Sequence, residues 1–133
     1  MAEASYPEDL RYHAEHDWAK IEGEGDSATF GITWFAQDTL GEVVFYDPPE
    51  VGSEVVKDTS YAEVESVKAV SDVIAPLSGE ITEVNAALSD APESINEDPY
   101  GGGWLIKVKL SDRSEVDALM DAPAYKALLD ESG

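Results

Sequence analysis

Lys68 lies in the run Glu65-Ser66-Val67-Lys68-Ala69-Val70-Ser71-Asp72, with Pro76 and Ser78-Gly79-Glu80 just downstream. A primary amine on a long, flexible stem, set in a turn, suits chemical modification by an enzyme that reads the local shape. Val67 and Ala69 flank it with small apolar side chains, and Glu65 and Asp72 bracket it with charge. The plainer reading is a solvated turn lysine, the usual state of exposed lysines. If the amine is modified, the reactive group of this protein is not one of its amino acids.

Other candidate chemistry is weaker. His13 and His16, with Glu15 and Asp17 beside them, have a spacing that can present two metal ligands on a helix face. Tyr12 and Trp18 suggest an extended segment instead, which favours structural or surface histidines. Gly101-Gly102-Gly103 lacks the Lys-Ser/Thr of a phosphate loop and runs into Trp104, so a tight turn before a strand is expected. No Gly-x-Ser-x-Gly elbow occurs. Carboxylate pairs could do acid–base work, but with 29 acidic residues no pair stands out. There is no cysteine, which excludes disulfides, thiolate metal sites and cysteine nucleophiles. Redox or sulfur chemistry must then come from an attached or partner group. No catalytic residue and no metal site are expected.

The elements that would carry Lys68 are mostly strands. Trp18–Ile21 and Ala28–Ile32 read as a hairpin about Gly23-Glu24-Gly25-Asp26. Trp34–Leu40 reads as a helical turn closed by Gly41. Glu42–Tyr46, stopped by Asp47-Pro48-Pro49, and Glu54–Val56 are strand candidates. Gly79–Val84 and Trp104–Leu110 alternate in the manner of half-buried strands. Ser89–Gly103, rich in Pro, Asn, Asp and Gly, reads as a long ordered loop. Ser111-Asp112 opens a helical segment with Val116, Leu119 and Met120 on one face. Pro123 suits the first turn of a last helix with Tyr125, Leu128 and Leu129. Gly41-Glu42-Val43-Val44 faintly echoes Gly79-Glu80-Ile81-Thr82, a match too short to carry weight alone. Around Lys68 the local signals conflict. Val64, Val67, Val70 and Val73 recur every third residue, as on a helix. Valine nevertheless prefers strands, and a strand–turn–strand with its turn near Lys68 produces the same spacing. Both readings stand.

At 133 residues and 43% apolar, the chain fits one domain with a modest core. Its net charge of -21 repels nucleic acid and anionic lipid surfaces. Basic patches on partner proteins would attract it, and a salty cytoplasm would also favour such a surface; the two readings are compatible. No apolar run reaches membrane-spanning length. Met1–Glu8 lacks the features of a secretory or transit signal, so a cytoplasmic location is expected.

With these pieces in place, the chain resembles the glycine cleavage system H protein family. Val64-Glu65-Ser66-Val67-Lys68-Ala69, Ser71-Asp72, Ala75-Pro76, Ser78-Gly79-Glu80 and Val84-Asn85 carry the likeness. Tyr12, His16 and Trp18, then Gly31-Ile32-Thr33, Ala36-Gln37 and Leu40-Gly41, and later Asn96, Pro99-Tyr100 and Gly103-Trp104 continue it in order. The resemblance implies a mainly β fold: a flattened β-barrel or two-sheet sandwich of the biotinyl/lipoyl hybrid type, with short helices and a helical C-terminus. It implies a single carrier domain over residues 1–133, with a core at about 12–110 and a C-terminal helical segment at about 112–130. It places Lys68 at a hairpin tip, bearing lipoic acid as N6-lipoyllysine. Glu65 and Gly79 match positions read by lipoylating enzymes. The implied partners are that enzyme, the pyridoxal-phosphate glycine decarboxylase, the tetrahydrofolate-dependent aminomethyltransferase and dihydrolipoamide dehydrogenase, which serve a monomeric carrier of the aminomethyl group of glycine. Asp17 and Thr39 fall where relatives line a cleft that shelters the loaded arm.

Some positions depart from the family. Trp34-Phe35 stands where an acidic residue is usual, Ala62 where glycine is frequent, and the first hairpin is longer around Gly23–Gly25. Trp34 either alters the cleft or adds packing. A carrier of the 2-oxo acid dehydrogenase type would favour an acidic residue at Val67 and a following linker. A biotin carrier would favour methionines at Val67 and Ala69. A lipoyl-relay protein would need the same modified lysine.

Overall fold

The computed structural model describes residues 6–22 and 26–132. Among the described residues, nine strands form two antiparallel sheets packed face to face. The first six strands run β1 (Arg11–Tyr12), β2 (Asp17–Glu22), β3 (Ser27–Ile32), β4 (Val43–Asp47), β5 (Glu54–Val55) and β6 (Ser60–Ser66). β7 (Val70–Ile74), β8 (Gly79–Val84) and β9 (Ile106–Leu110) complete them. The larger sheet has the order β1-β2-β3-β9-β8-β5, and the smaller has β4-β6-β7. The sandwich expected from the resemblance is present, and its sheets do not close into a barrel. The proposed Gly23–Gly25 turn lies outside the described residues, but its strands pair from Asp17↔Ile32 to Glu22↔Ser27.

Alternation builds the core. Ala19 and Ile21, Phe30 and Ala28, Ile106 and Val108, and Ile81 line up across the larger sheet. They meet Val43, Tyr46, Val64 and Val73 of the smaller one. Each valine, isoleucine or phenylalanine among them taken fully out of water contributes about 1.5–3 kcal/mol. A second cluster of Leu10, Tyr12, Trp18, Ala122 and Tyr125 holds the last helix against the back of β1 and β2.

Helices fill the connections. α1 (Trp34–Leu40) is capped by the Thr33 hydroxyl, which accepts from Ala36 N, and ends at Gly41 with φ 81°. The expected loop over Ser89–Gly103 is more structured than its composition suggests. It begins at the end of a 3-10 turn (Ala86–Ser89) and contains a short helix, α2 (Ser94–Glu97), whose Ile95 is fully buried. One apolar anchor there outweighs poor local propensity. The segment after Asp112 is a 3-10 helix (Arg113–Ala118), and α3 (Ala122–Ser132) starts separately. Val116 and Leu119 pack on the main core while Met120 joins the second cluster. The faint internal echo falls in opposite sheets, on β4 and on β8.

Candidate functional site

The valine stripe resolves as a hairpin. β6 and β7 pair from Ser60↔Ile74 to Glu65↔Val70, and Val67-Lys68-Ala69 is the turn. Val64 and Val73 face the core, whereas Val67 and Val70 are 69% and 59% exposed. A helix would have put Val64 with Val67, and Val70 with Val73, on a shared face. Ser66 shapes the tip. Its N–H donates to the Ala69 carbonyl at 2.8 Å, and its hydroxyl accepts from Ala69 N at 3.1 Å. Serine supplies such local bonds readily in turns. The Val67 N–H donates to the Glu42 carbonyl at 3.1 Å, tying the tip to the start of β4.

The Lys68 stem lies over Gly41. A Cβ there would come within 3.4 Å of Lys68 Cε, and the positive φ already disfavours one. Asn96 steadies this seat. Its Nδ2 donates to Gly41 O at 2.8 Å, and its Oδ1 accepts from Val43 N at 2.8 Å. Among the described residues, Lys68 Nζ forms no ion pair, so its amine is open to chemistry. Glu65 sits on the same hairpin, exposed and in register with Val70 and Phe45. Gly79 does not join them. It opens β8 in the other sheet, separated from the tip by the whole of β7 and the Ala75–Ser78 connection. Five strand residues alone span roughly 16 Å. A Cβ on Gly79 would press on the Lys109 carbonyl oxygen, so close approach of β8 and β9 requires glycine here.

A narrow cleft of about 140 Å³ opens between the sheets. Glu15, His16 and Asp17 form one wall; Phe35, Ala36, Thr39 and Leu40 of α1 form another; Ser71 and Asp72 of β7 close it. Asp17 and Thr39 thus both line it. Phe35, not Trp34, is the departing residue that reaches the cleft, while the Trp34 N–H donates to the Tyr100 hydroxyl at 2.9 Å. Asp17 is almost wholly buried. Desolvation pushes its carboxyl well above the usual range, against a backbone hydrogen bond from Ile74 that favours the ionised form. Its Oδ2 has no hydrogen-bond partner. A buried carboxylate oxygen without a donor is costly, and a small cation entering the cleft would relieve it. A larger groove of about 450 Å³, lined by Gln37, Asp38, Gly41, Glu42, Glu93, Asn96 and Glu97, flanks the other side of the Gly41 seat.

The two histidines diverge. His13 Nε2 is 2.6 Å from Asp58 Oδ1, whereas His16 Nδ1 is 2.8 Å from the Tyr125 hydroxyl. No group of three or more His, Asp or Glu among the described residues is arranged to hold a metal. In the glycine run, the Gly102 N–H donates to Asp98 Oδ2 at 3.1 Å, so a carboxylate already takes the amide that a phosphate would need.

Comparison with known proteins adds the decisive observation. Residues 10–132 match the family model described as glycine cleavage H-protein. The chain belongs to the glycine cleavage H-protein family. It is 51% identical over 127 residues to the glycine cleavage system H protein of Halorhodospira halophila, covering 96% of this chain and 97% of that one. The Escherichia coli O7:K1 protein of the same name is 52% identical over 128 residues, covering 96% and 98%. A crystal structure of a glycine cleavage system H protein from Mycobacterium marinum superposes with a TM-score of 0.84 at 43% identity, covering 93% of this chain and 98% of that one. Within this H-protein fold, sequence reasoning missed Ser66, Asn96 and Tyr125 as supports of the tip and cleft. Ser66 carried a local signal, a serine at the mouth of a turn. Asn96 and Tyr125 act across the fold and carried no local signal; Asn96 was marked only by the family likeness.

Proposed function

We propose that this chain is the lipoyl-bearing carrier of the glycine cleavage system, with lipoic acid joined by an amide to Lys68 Nζ. The observation that carries this reading is an unpaired lysine amine on an ordered hairpin tip in a chain of this family. When bound, the group supplies a dithiolane sulfur that takes up the aminomethyl group of glycine, chemistry a cysteine-free chain cannot provide. The protein's own contribution is positional. Ser66 and Gly41 present the amine, and the hairpin fixes the point about which the arm turns. The cleft between β2, α1 and β7 offers Asp17 Oδ2 to a cationic end of the arm, with Asp72 and Glu15 at its wall. The residues present therefore fit the group and its cargo.

The partners that follow are the glycine decarboxylase, the aminomethyltransferase and dihydrolipoamide dehydrogenase, with a lipoylating enzyme that installs the arm. Glu65 is the charged contact beside the tip for that enzyme. Gly79 serves it indirectly, by letting β8 meet β9 in a correctly formed domain. The chain itself performs no bond-making step in this scheme.

Intact-mass measurement after expression in a lipoylating host should show a single lipoyl adduct, and Lys68→Arg should remove it completely. An adduct that survives this substitution would sink the assignment. The lipoylated protein should also support glycine-dependent CO2 exchange with its decarboxylase. Efficient lipoyl transfer to other carriers without exchange would point to relay instead.

A further inference from the structure

Tyr125 is fully buried in α3 and does not line the cleft. Its hydroxyl nevertheless touches both of the cleft's principal walls. It lies 2.8 Å from His16 Nδ1 in the turn before β2, and 2.8 Å from Thr33 Oγ1, the cap of α1. The Ala36 N–H donates to that same Thr33 oxygen at 3.2 Å. Burial lowers the His16 pKa, which favours the neutral ring. With Nδ1 as acceptor, the hydrogens assign in one direction. Thr33 O–H donates to the Tyr125 oxygen, and Tyr125 O–H donates to His16 Nδ1. The two hydroxyls and His16 Nδ1 then each have a matched partner. The Phe35 ring, 4.6 Å from the imidazole, fixes His16 from the cleft side.

We propose that Tyr125 is a positioning residue whose hydroxyl fastens the C-terminal helix to both cleft walls and so sets the shelter given to the charged end of the arm. This rests on the reading of Lys68 as the arm's anchor. Through this one oxygen, side-chain bonds join the turn before β2 to the start of α1. The backbone link, Thr33 N–H to the His16 carbonyl at 3.1 Å, fixes where the walls meet but not how their side chains face the cleft.

Tyr125→Phe removes one oxygen and keeps the ring that stacks on Tyr12 at 4.8 Å. Two readouts test it. In the unlipoylated protein, amide hydrogen exchange at Ala36 should quicken about five-fold, the factor expected for one net hydrogen bond, and the 15N shift of His16 Nδ1 should move. In the lipoylated, reduced protein, the arm is loaded chemically with formaldehyde and ammonium. Water then returns thiol, formaldehyde and ammonium, and formaldehyde release should also quicken about five-fold. Thr33→Ser keeps a hydroxyl and should match the parent in both. A lower unfolding temperature with neither readout changed would make Tyr125 mere packing and overturn the proposal. A parent protein that releases formaldehyde as fast as free dihydrolipoamide would overturn the sheltering cleft, while exchange at Ala36 would still decide whether the hydroxyl holds the walls. If Tyr125→Phe does not fold, Thr33→Val severs the other end of the chain; because it also removes the acceptor of Ala36 N–H, it is judged by the His16 15N shift and by formaldehyde release alone.

Discussion

The outer faces of the two sheets differ in kind. On the larger sheet, cations and carboxylates are interspersed. Glu22, Ser27, Lys109, Glu80 and Glu54 form one cross-strand row, and Lys20, Thr29 and Lys107 form the next. On the smaller sheet, β4, β6 and β7 contain no lysine or arginine. Asp47, Glu63 and Asp72 form one row there, and Phe45, Glu65 and Val70 form the row nearer the tip. Phe45 is 51% exposed, and Val44 beside it in β4 and Val67 next to Lys68 are exposed as well. A surface shaped only by solubility or salt would have no reason to bare these side chains on one sheet and neutralise charge on the other. An apolar patch beside an acidic row matches a partner with an apolar depression rimmed by lysine and arginine. Under the proposed carrier function, the larger sheet would be scaffold and the smaller one the working face offered to partners.

That division predicts separable failures. The largest effect should come from the scaffold. Gly79→Ala drives a methyl into the Lys109 backbone, which cannot retreat as a flexible side chain would. A cost of about 3 kcal/mol is expected, at the upper end for overpacking. Urea unfolding measures it, and a loss under 1 kcal/mol would remove the packing reason for this glycine. Once folded at low temperature, the variant should use its partner enzymes normally.

The converse substitution is Phe45→Lys. It places a cation in the centre of the working face and leaves the core untouched. With the decarboxylase, kcat/KM should fall about ten-fold or more, the factor for roughly 1.4 kcal/mol, mainly through KM. The unfolding midpoint should stay within about 0.5 kcal/mol of the parent, as for most surface changes. Lys20→Glu on the scaffold face is the control and should change kcat/KM by less than about two-fold. Added salt should weaken the parent's partner binding, since the rim charges are exposed. Equal losses from Phe45→Lys and Lys20→Glu would erase the distinction between the faces.

How much of this was legible in the chain depended on range. The strands and the α1 stop at Gly41 follow from patterns a few residues long. The Lys68 segment was ambiguous for a physical reason: a turn breaks strand alternation and leaves a period of three, which a helix also shows. Only the positions of Val64 and Val73 in the core, opposite exposed Val67 and Val70, separate the two. The cleft was legible through family likeness at Asp17 and Thr39. Its supports were not, because Tyr125 meets His16 and Thr33 across most of the chain. Gly79 was read as a recognition residue, and its backbone contact with Lys109 depends on a strand pairing that no local pattern announces.

The smallest expected effect tests a third region, the seam between the sheets. Its titrating groups, His16 and Asp17, belong to neither outer face. His16 has its pKa lowered from 6.5 by burial, only partly offset by Glu15. As pH falls below 6.5, the unfolded chain therefore binds this proton before the folded one, and stability declines until the lowered folded value is passed. Asp17 works in the opposite sense. Its folded carboxyl holds a proton above 3.8, so acidification through that window favours the folded state. Asp17→Asn isolates the histidine. Between pH 7.5 and 5.5 this variant should lose stability modestly, and adding His16→Asn should flatten the slope. Asparagine tolerates the left-handed backbone at φ 73° that His16 adopts. A slope that survives the double substitution would move the titrating group out of the seam and onto one of the faces, where charge would then have to be counted as part of stability rather than of docking.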